Sequence, residues 1–286
     1  ADIAVVSAHA VWALPLAWAL AKRAKVPLVY NPHELETRTP TMTGVKKTLA
    51  EQVEARFIRR CQVVTAVNDE IADWYAGHYR IARPLVVVNY PAKVTRGRPA
   101  RDLRGELGLR DDEVLFVHTG HLTEGRNIPL ILEEFAAGAR HHVLVVGAGD
   151  MQSLVDEAAA RSPFIHRMDP VPPDEVVSVV AGADMSLALI ETLSQSYAWG
   201  SPNKLFEALA AGVPVLASDV PEVRRRLGPL AGELILSSPK DQLRGFLARL
   251  DRPMALSYRE HLIPLPTWEE GVEPLVETYR ALLQGG

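Results

Sequence analysis

The sequence predicts an α/β protein built on doubly wound parallel sheets. Short segments rich in β-branched residues recur along it, each bounded by turn formers. Amphipathic helical stretches lie between most of them, and that alternation implies parallel sheets covered on both faces by right-handed crossovers. The length, 286 residues with 48% hydrophobic and 23% charged, suffices for one large or two modest domains.

Strands are expected over residues 2–6, 27–30, 62–67, 85–89, 114–119, 142–146, 164–167, 185–189, 214–217 and 233–235. Helices are expected over 45–60, 69–79, 128–139, 150–161, 173–181 and 204–211. Residues 91–112 (PAKVTRGRPARDLRGELGLRDD) are rich in Arg, Pro and Gly and lack a long apolar run, so the break between domains is expected there. This gives a first domain over 1–95, a second over 105–266, and a terminal helix over 267–286 opening at Trp268 and Glu269. The chain opens on Ala1 almost directly before a strand, and the first domain is expected to be incomplete.

The net charge of −4 gives no overall basic excess for nucleic acid. Local basic runs, Arg56 with Arg59 and Arg60, Arg96 to Arg104, and Arg224 to Arg226, read as solvated helix faces, a polar linker, or contacts with an anionic acceptor or lipid surface. The single cysteine, Cys61, excludes a disulfide within the chain and reads as a small core residue. The apolar run AVWALPLAWALA is too short to span a membrane, and a cytoplasmic protein, at most peripheral to a membrane, is expected. There is no H-E-x-x-H, D-x-D or cysteine cluster for a metal, and no G-x-S-x-G elbow.

The segment 201–219 (SPNKLFEALAAGVPVLASD) reads as loop, helix and strand. Ser201 or Asn203 can cap the helix, Pro202 suits its first turn, and Gly212 suits its end. A helix N-terminus at the carboxyl edge of an open α/β sheet favours an anionic group, and Lys204 adds a cation there. Glu207, one turn on, can accept hydrogen bonds from ribose hydroxyls; equally, Lys204 and Glu207 can form an i, i+3 surface pair. The loop 119–127 (TGHLTEGRN) follows a strand; Gly120 and Gly125 permit close approach, and Arg126 is either a phosphate ligand or an ordinary surface arginine. Gly147–Asp150 is a weak glycine signal. His9 follows the first strand and His33 and Glu34 follow the second, which places both histidines on one sheet edge, facing the expected cleft; a lone histidine is as well read as structural.

The segment SPNKLFEALAAGVPVLASDVPEVR resembles the donor site of family-four retaining glycosyltransferases of the GT-B fold. FVHTGHLTEGRNIPLILEEF, VLVVGAGDMQSLVDEAA, VPLVYNPHELETR, VEARFIRRCQVVTAVNDEIADWY, VVVNYP and TWEEGVEPLVETYRALL resemble further parts of that family, and together cover nearly the whole chain. The resemblance implies two Rossmann-like domains facing a cleft, the first apparently truncated. It implies a nucleotide-diphosphate sugar donor, no cofactor and no metal, and a glycan, lipid-linked or small-molecule acceptor. By resemblance, Arg126 and Lys204 hold the diphosphate, Gly120 permits its approach, Glu207 holds the ribose with Asn203 nearby, and Val171 borders the base. His33, with Glu34, acts at the sugar, and His9, Glu191, Tyr197 and Trp199 are sugar or acceptor contacts. Trp199 stands where the family often has a second glutamate. A GT-B epimerase and a catalytically silent nucleotide-binding or partner subunit share the architecture; a phosphorylase would need a pyridoxal lysine that is not identifiable.

Overall fold

In the computed structural model, which describes residues 3–138 and 140–284, ten strands alternate with helices. The strands are β1 (Val6–Ala8), β2 (Leu28–Tyr30), β3 (Val63–Ala66), β4 (Leu85–Val86), β5 (Val114–Thr119), β6 (His141–Val146), β7 (Ile165–Met168), β8 (Met185–Ala188), β9 (Val215–Ser218) and β10 (Ile235–Leu236). The helices are α1 (Leu14–Ala24), α2 (Gly44–Phe57), α3 (Asp69–Tyr79), α4 (Lys93–Arg96), α5 (Leu103–Leu107), α6 (Ile128–Gly138), α7 (Gln152–Arg161) and α8 (Val176–Ala181). They continue as α9 (Gln195–Ala198), α10 (Asn203–Ala210), α11 (Pro221–Leu227), α12 (Ala231–Leu234), α13 (Pro239–Arg249), α14 (Arg252–Ser257) and α15 (Trp268–Gln284). Asp2, Ala139, Gly285 and Gly286, which the expected elements included, lie outside the described residues.

The chain forms two compact units: Ala1–Asn89 with Thr192–Ser201 and Trp268–Gly286, and Tyr90–Glu191 with Pro202–Thr267. The first holds a parallel sheet in the order β1-β2-β3-β4. The second holds a parallel sheet in the order β10-β9-β8-β5-β6-β7. In the second sheet the order reverses beside β5, and the carboxyl ends of strands at such a switch point open a crevice for ligands. β5 and β6 are buried at every residue, as central strands of a doubly wound sheet must be. Phe116 on β5 meets Phe135 on α6 edge to face, ring centres 5.1 Å apart. Each such buried side chain contributes roughly 1.5–3 kcal/mol.

Several boundaries differ from expectation. β1 lies over Val6–Ala8 rather than residues 2–6, because its pairing runs from Val6 against Leu28 to Ala8 against Tyr30. α8 starts at Val176, three residues late: Pro172 and Pro173 restrict the chain, and a turn closed by the Glu175 N–H on the Pro172 carbonyl precedes the helix. Pro202, not Ser201 or Asn203, is the N-cap of α10, and no side chain caps it. Residues 91–112 carry α4 and α5, which belong to the second unit. Leu103 there is fully buried, and Arg104 pairs with the buried Asp184 at 2.8 Å.

Intramolecular partners occupy much of the basic runs. Arg96 bonds the carbonyl of Leu265, Arg98 pairs with Asp174, Arg101 with Glu106, Arg224 with Asp219, and Arg225 and Arg226 with the buried Glu222. Cys61 is half-buried and its thiol donates to the Phe57 carbonyl at 3.5 Å; burial pushes its pKa up to about 12. Among the described residues no helix is long and apolar enough to cross a membrane.

Candidate active site

In the second unit the site grows from the carboxyl end of β5. The chain leaves Thr119 through Gly120, whose φ of +101° is one that a side chain would strain. This turn is braced from below by the turn after β6. The Gly120 N–H donates to the Val146 carbonyl at 2.9 Å, the Leu122 N–H to Ala148 at 2.9 Å, and the Met151 N–H to Leu122 at 3.0 Å. A Cβ on Gly147 would fall on the Gly120 carbonyl, and one on Gly149 on the Leu122 carbonyl. Close approach of two backbones accounts for the glycines of 147–150, a pattern that sequence reasoning left as a weak signal.

α10 aims its first turn at this brace. The Lys204 ammonium lies 3.2 Å from where a Gly120 Cβ would stand. Burial, then the nearby Arg126 charge, lowers the Lys204 pKa to about 8, opposed by Glu207. Glu207 accepts a hydrogen bond from the Thr119 hydroxyl at 3.1 Å. Burial raises its pKa, while that bond and Lys204 lower it. The arrangement is a half-buried cation and a half-buried carboxylate side by side on a glycine turn, with a second cation in range. His118, buried on β5, is held neutral by burial and by Lys204 and Arg126. Such an arrangement has the chemistry to accept two hydroxyls at Glu207 and a compact anion at the cations.

The remaining expected residues of this unit lie in its loops. Arg126 sits between Gly125 (φ +81°) and Asn127 (φ +53°) in the turn before α6. Glu191 follows β8, and its N–H donates to the Gly125 carbonyl at 3.0 Å. Val171 is half-buried in the loop after β7, and Asn203 is exposed as the first residue of α10. Thr119 and His118 were not singled out from sequence; the strand's last two residues with the glycine that follows, HTG, are the signal that could have found them.

In the first unit, His9 follows β1 and His33 follows β2, and both are exposed. Their rings stack, centres 5.5 Å apart with 23° between planes. Ser7 Oγ and His9 Nε2 are 3.2 Å apart. Glu34 accepts from the Ser196 hydroxyl of α9 at 3.2 Å. Tyr197 is half-buried on α9. Trp199 packs against the core of this unit, and its carbonyl accepts from the Asn68 side chain at 2.7 Å. Two carboxylates that sequence reasoning missed, the half-buried Glu36 and the buried Glu54, anchor the His33 loop. Among the described residues no cluster of three or more His, Cys, Asp or Glu is disposed to hold a metal.

A parallel sheet in each unit, with a paired cation and carboxylate at the switch point of the second, is the pattern of a GT-B glycosyltransferase. Residues 1–92 match Glycosyltransferase Family 4, and residues 113–252 match the Glycosyl transferases group 1 family. The chain is a glycosyltransferase, similar to the one family in its first part and to the other in its second. Similar solved structures include sucrose-phosphate synthase from Thermosynechococcus elongatus, 17% identical with a TM-score of 0.76 over 99% of this chain and 74% of that one. Anabaena HepE in complex with UDP-glucose is 14% identical, with a TM-score of 0.70 over 97% of this chain and 78% of that one. WaaG, a glycosyltransferase involved in lipopolysaccharide biosynthesis, is 14% identical, with a TM-score of 0.58 over 85% and 74%. At these identities the likeness is one of fold. No curated protein sequence matches.

Proposed function

We propose that this protein is a retaining glycosyltransferase that moves a sugar from a nucleotide-diphosphate donor to an acceptor hydroxyl without a metal ion. The observation that carries the reading is the Lys204–Glu207 pair set on the Gly120 turn. Lys204 and Arg126 clamp the diphosphate. Its charge grows as the glycosidic bond breaks, so preorganised cations stabilise the leaving group in the manner of an oxyanion site. Glu207, steadied by Thr119, takes the ribose hydroxyls. The open loop containing Val171 borders the base. His33 and Glu34 act at the sugar, with His9, Glu191, Tyr197 and Trp199 as further sugar or acceptor contacts. The complex of HepE with UDP-glucose supports a uridine donor as the first to try. A silent partner subunit would not need Arg126 within electrostatic range of a half-buried Lys204, and here it is.

Calorimetry with uridine, guanosine and adenosine diphosphates tests the assignment. Lys204→Ala and Glu207→Ala should each weaken the best ligand at least roughly tenfold, the loss expected of a charge-assisted contact. The lysine carries its charge below a pKa of about 8. Wild-type affinity should therefore decline as pH rises from about 7 to about 9, and the decline should be missing in Lys204→Ala. Unchanged affinity in both variants would remove these residues from the donor site.

A further inference from the structure

A single buried carboxylate grips the His33 loop at both ends. Glu54, in the body of α2, has no exposed surface. One of its oxygens, Oε1, accepts from the Tyr30 hydroxyl at 2.8 Å and from Tyr75 at 3.1 Å. The other, Oε2, accepts from Tyr79 at 2.6 Å and from Thr37 at 3.2 Å. Four hydroxyl donors fill the acceptor positions of its two oxygens, which is what a buried carboxylate needs to be tolerated. The donors fall into two pairs. Tyr75 and Tyr79 lie on α3, whereas Tyr30 ends β2 and Thr37 lies in the 3-10 turn Glu36–Arg38, so the second pair brackets His33 and Glu34.

The loop is also fastened between those ends. The Asn31 N–H donates to the Ala8 carbonyl at 2.8 Å, and Asn31 Oδ1 accepts from the Thr65 hydroxyl at 2.5 Å. Glu36 accepts from the Val11 N–H at 2.6 Å, tying the loop to the segment after His9, whose ring stacks on His33.

We propose that Glu54 is a positioning residue: through Tyr30 and Thr37 it fixes the loop that presents His33 and Glu34, and so sets the orientation of the His33 imidazole. The inference rests on the reading of His33 as a group that acts on the sugar. A fully buried carboxylate is an expensive way to fill a core position, since packed apolar residues often serve as well or better. Its use is explained if the site needs one loop geometry rather than mere compactness.

The two donor pairs supply the test. Tyr30→Phe and Thr37→Val each remove one loop-side bond; Tyr75→Phe and Tyr79→Phe each remove one bond on α3. All four should lower Tm. Only the loop-side variants should shift or broaden the His33 ring signal in a histidine-selective NMR spectrum, assigned by its loss in His33→Ala. Only they should lower kcat, roughly tenfold or more, with the donor KM unchanged, as a small misplacement of a reacting group does. Glu54→Gln, which keeps the shape and one acceptor, should retain more of both readouts than Glu54→Leu. An unmoved His33 signal in both loop-side variants would overturn the proposal, as would equal effects from all four. If the wild-type protein transfers no sugar from any donor, the functional reading has failed, and the His33 signal alone decides the role of Glu54.

Discussion

Glu36 sits where three carboxylates converge. Its pKa is raised to about 7: burial raises it most, the Val11 hydrogen bond lowers it, and the charges of Glu54 and Glu34 raise it. The folded state therefore binds this proton more tightly than the unfolded chain, whose value is near 4.5. Its contribution to stability is complete below about 4.5, declines as pH rises and is gone above about 7. Urea denaturation should show wild-type stability falling across that window relative to Glu36→Gln, which keeps an oxygen for Val11; parallel pH profiles would refute the assignment. Neither Glu36 nor Glu54 was legible in the sequence. Each is one acidic residue in a polar stretch, and its partners stand 17 to 25 positions away. Lys204 and Glu207 were legible as candidates because a helix start, the Arg126 loop and a long resembling segment coincide, although their spacing alone equally suits a surface pair. Thr119 was not, because a threonine ending a strand is ordinary until its partner, 88 residues on, is known.

At the scale of elements, β5 and α3 fall where the hydrophobic pattern puts them, since each carries its full signal within its own residues. β1 and α8 do not. The ends of β1 are set by pairing with β2, and the start of α8 by a proline pair. The brace between the turns after β5 and β6 was hidden for the same reason: its glycines answer to a backbone 27 residues away. Gly147→Ala should destabilise the protein by about 2 kcal/mol or more and weaken nucleotide binding, because Gly120 must move. Gly245→Ala in α13, where a Cβ meets nothing within 4 Å, should leave stability equal or slightly raised. Thermal melts and calorimetry on the pair check both; a tolerant Gly147→Ala would mean the brace is dispensable.

At the scale of the molecule, each unit has its own sheet and its own core. The nucleotide reading assigns the diphosphate to the second. A nucleoside diphosphate at about one hundred times its Kd should stabilise the protein by about 2.7 kcal/mol. Hydrogen exchange should show protection concentrated at residues 118–127, 168–172 and 203–207, with the sheet of the first unit unchanged; protection centred on the first unit would reverse the assignment. The brace beneath Gly120 also bears on protein engineering. Such turns invite transplantation between glycosyltransferases, yet here 119–127 rests on 146–151 through three backbone hydrogen bonds and two positions that admit no side chain. The exchangeable part is the pair of turns together, and a chimera that carries only the first would inherit the charges without the floor that aims them.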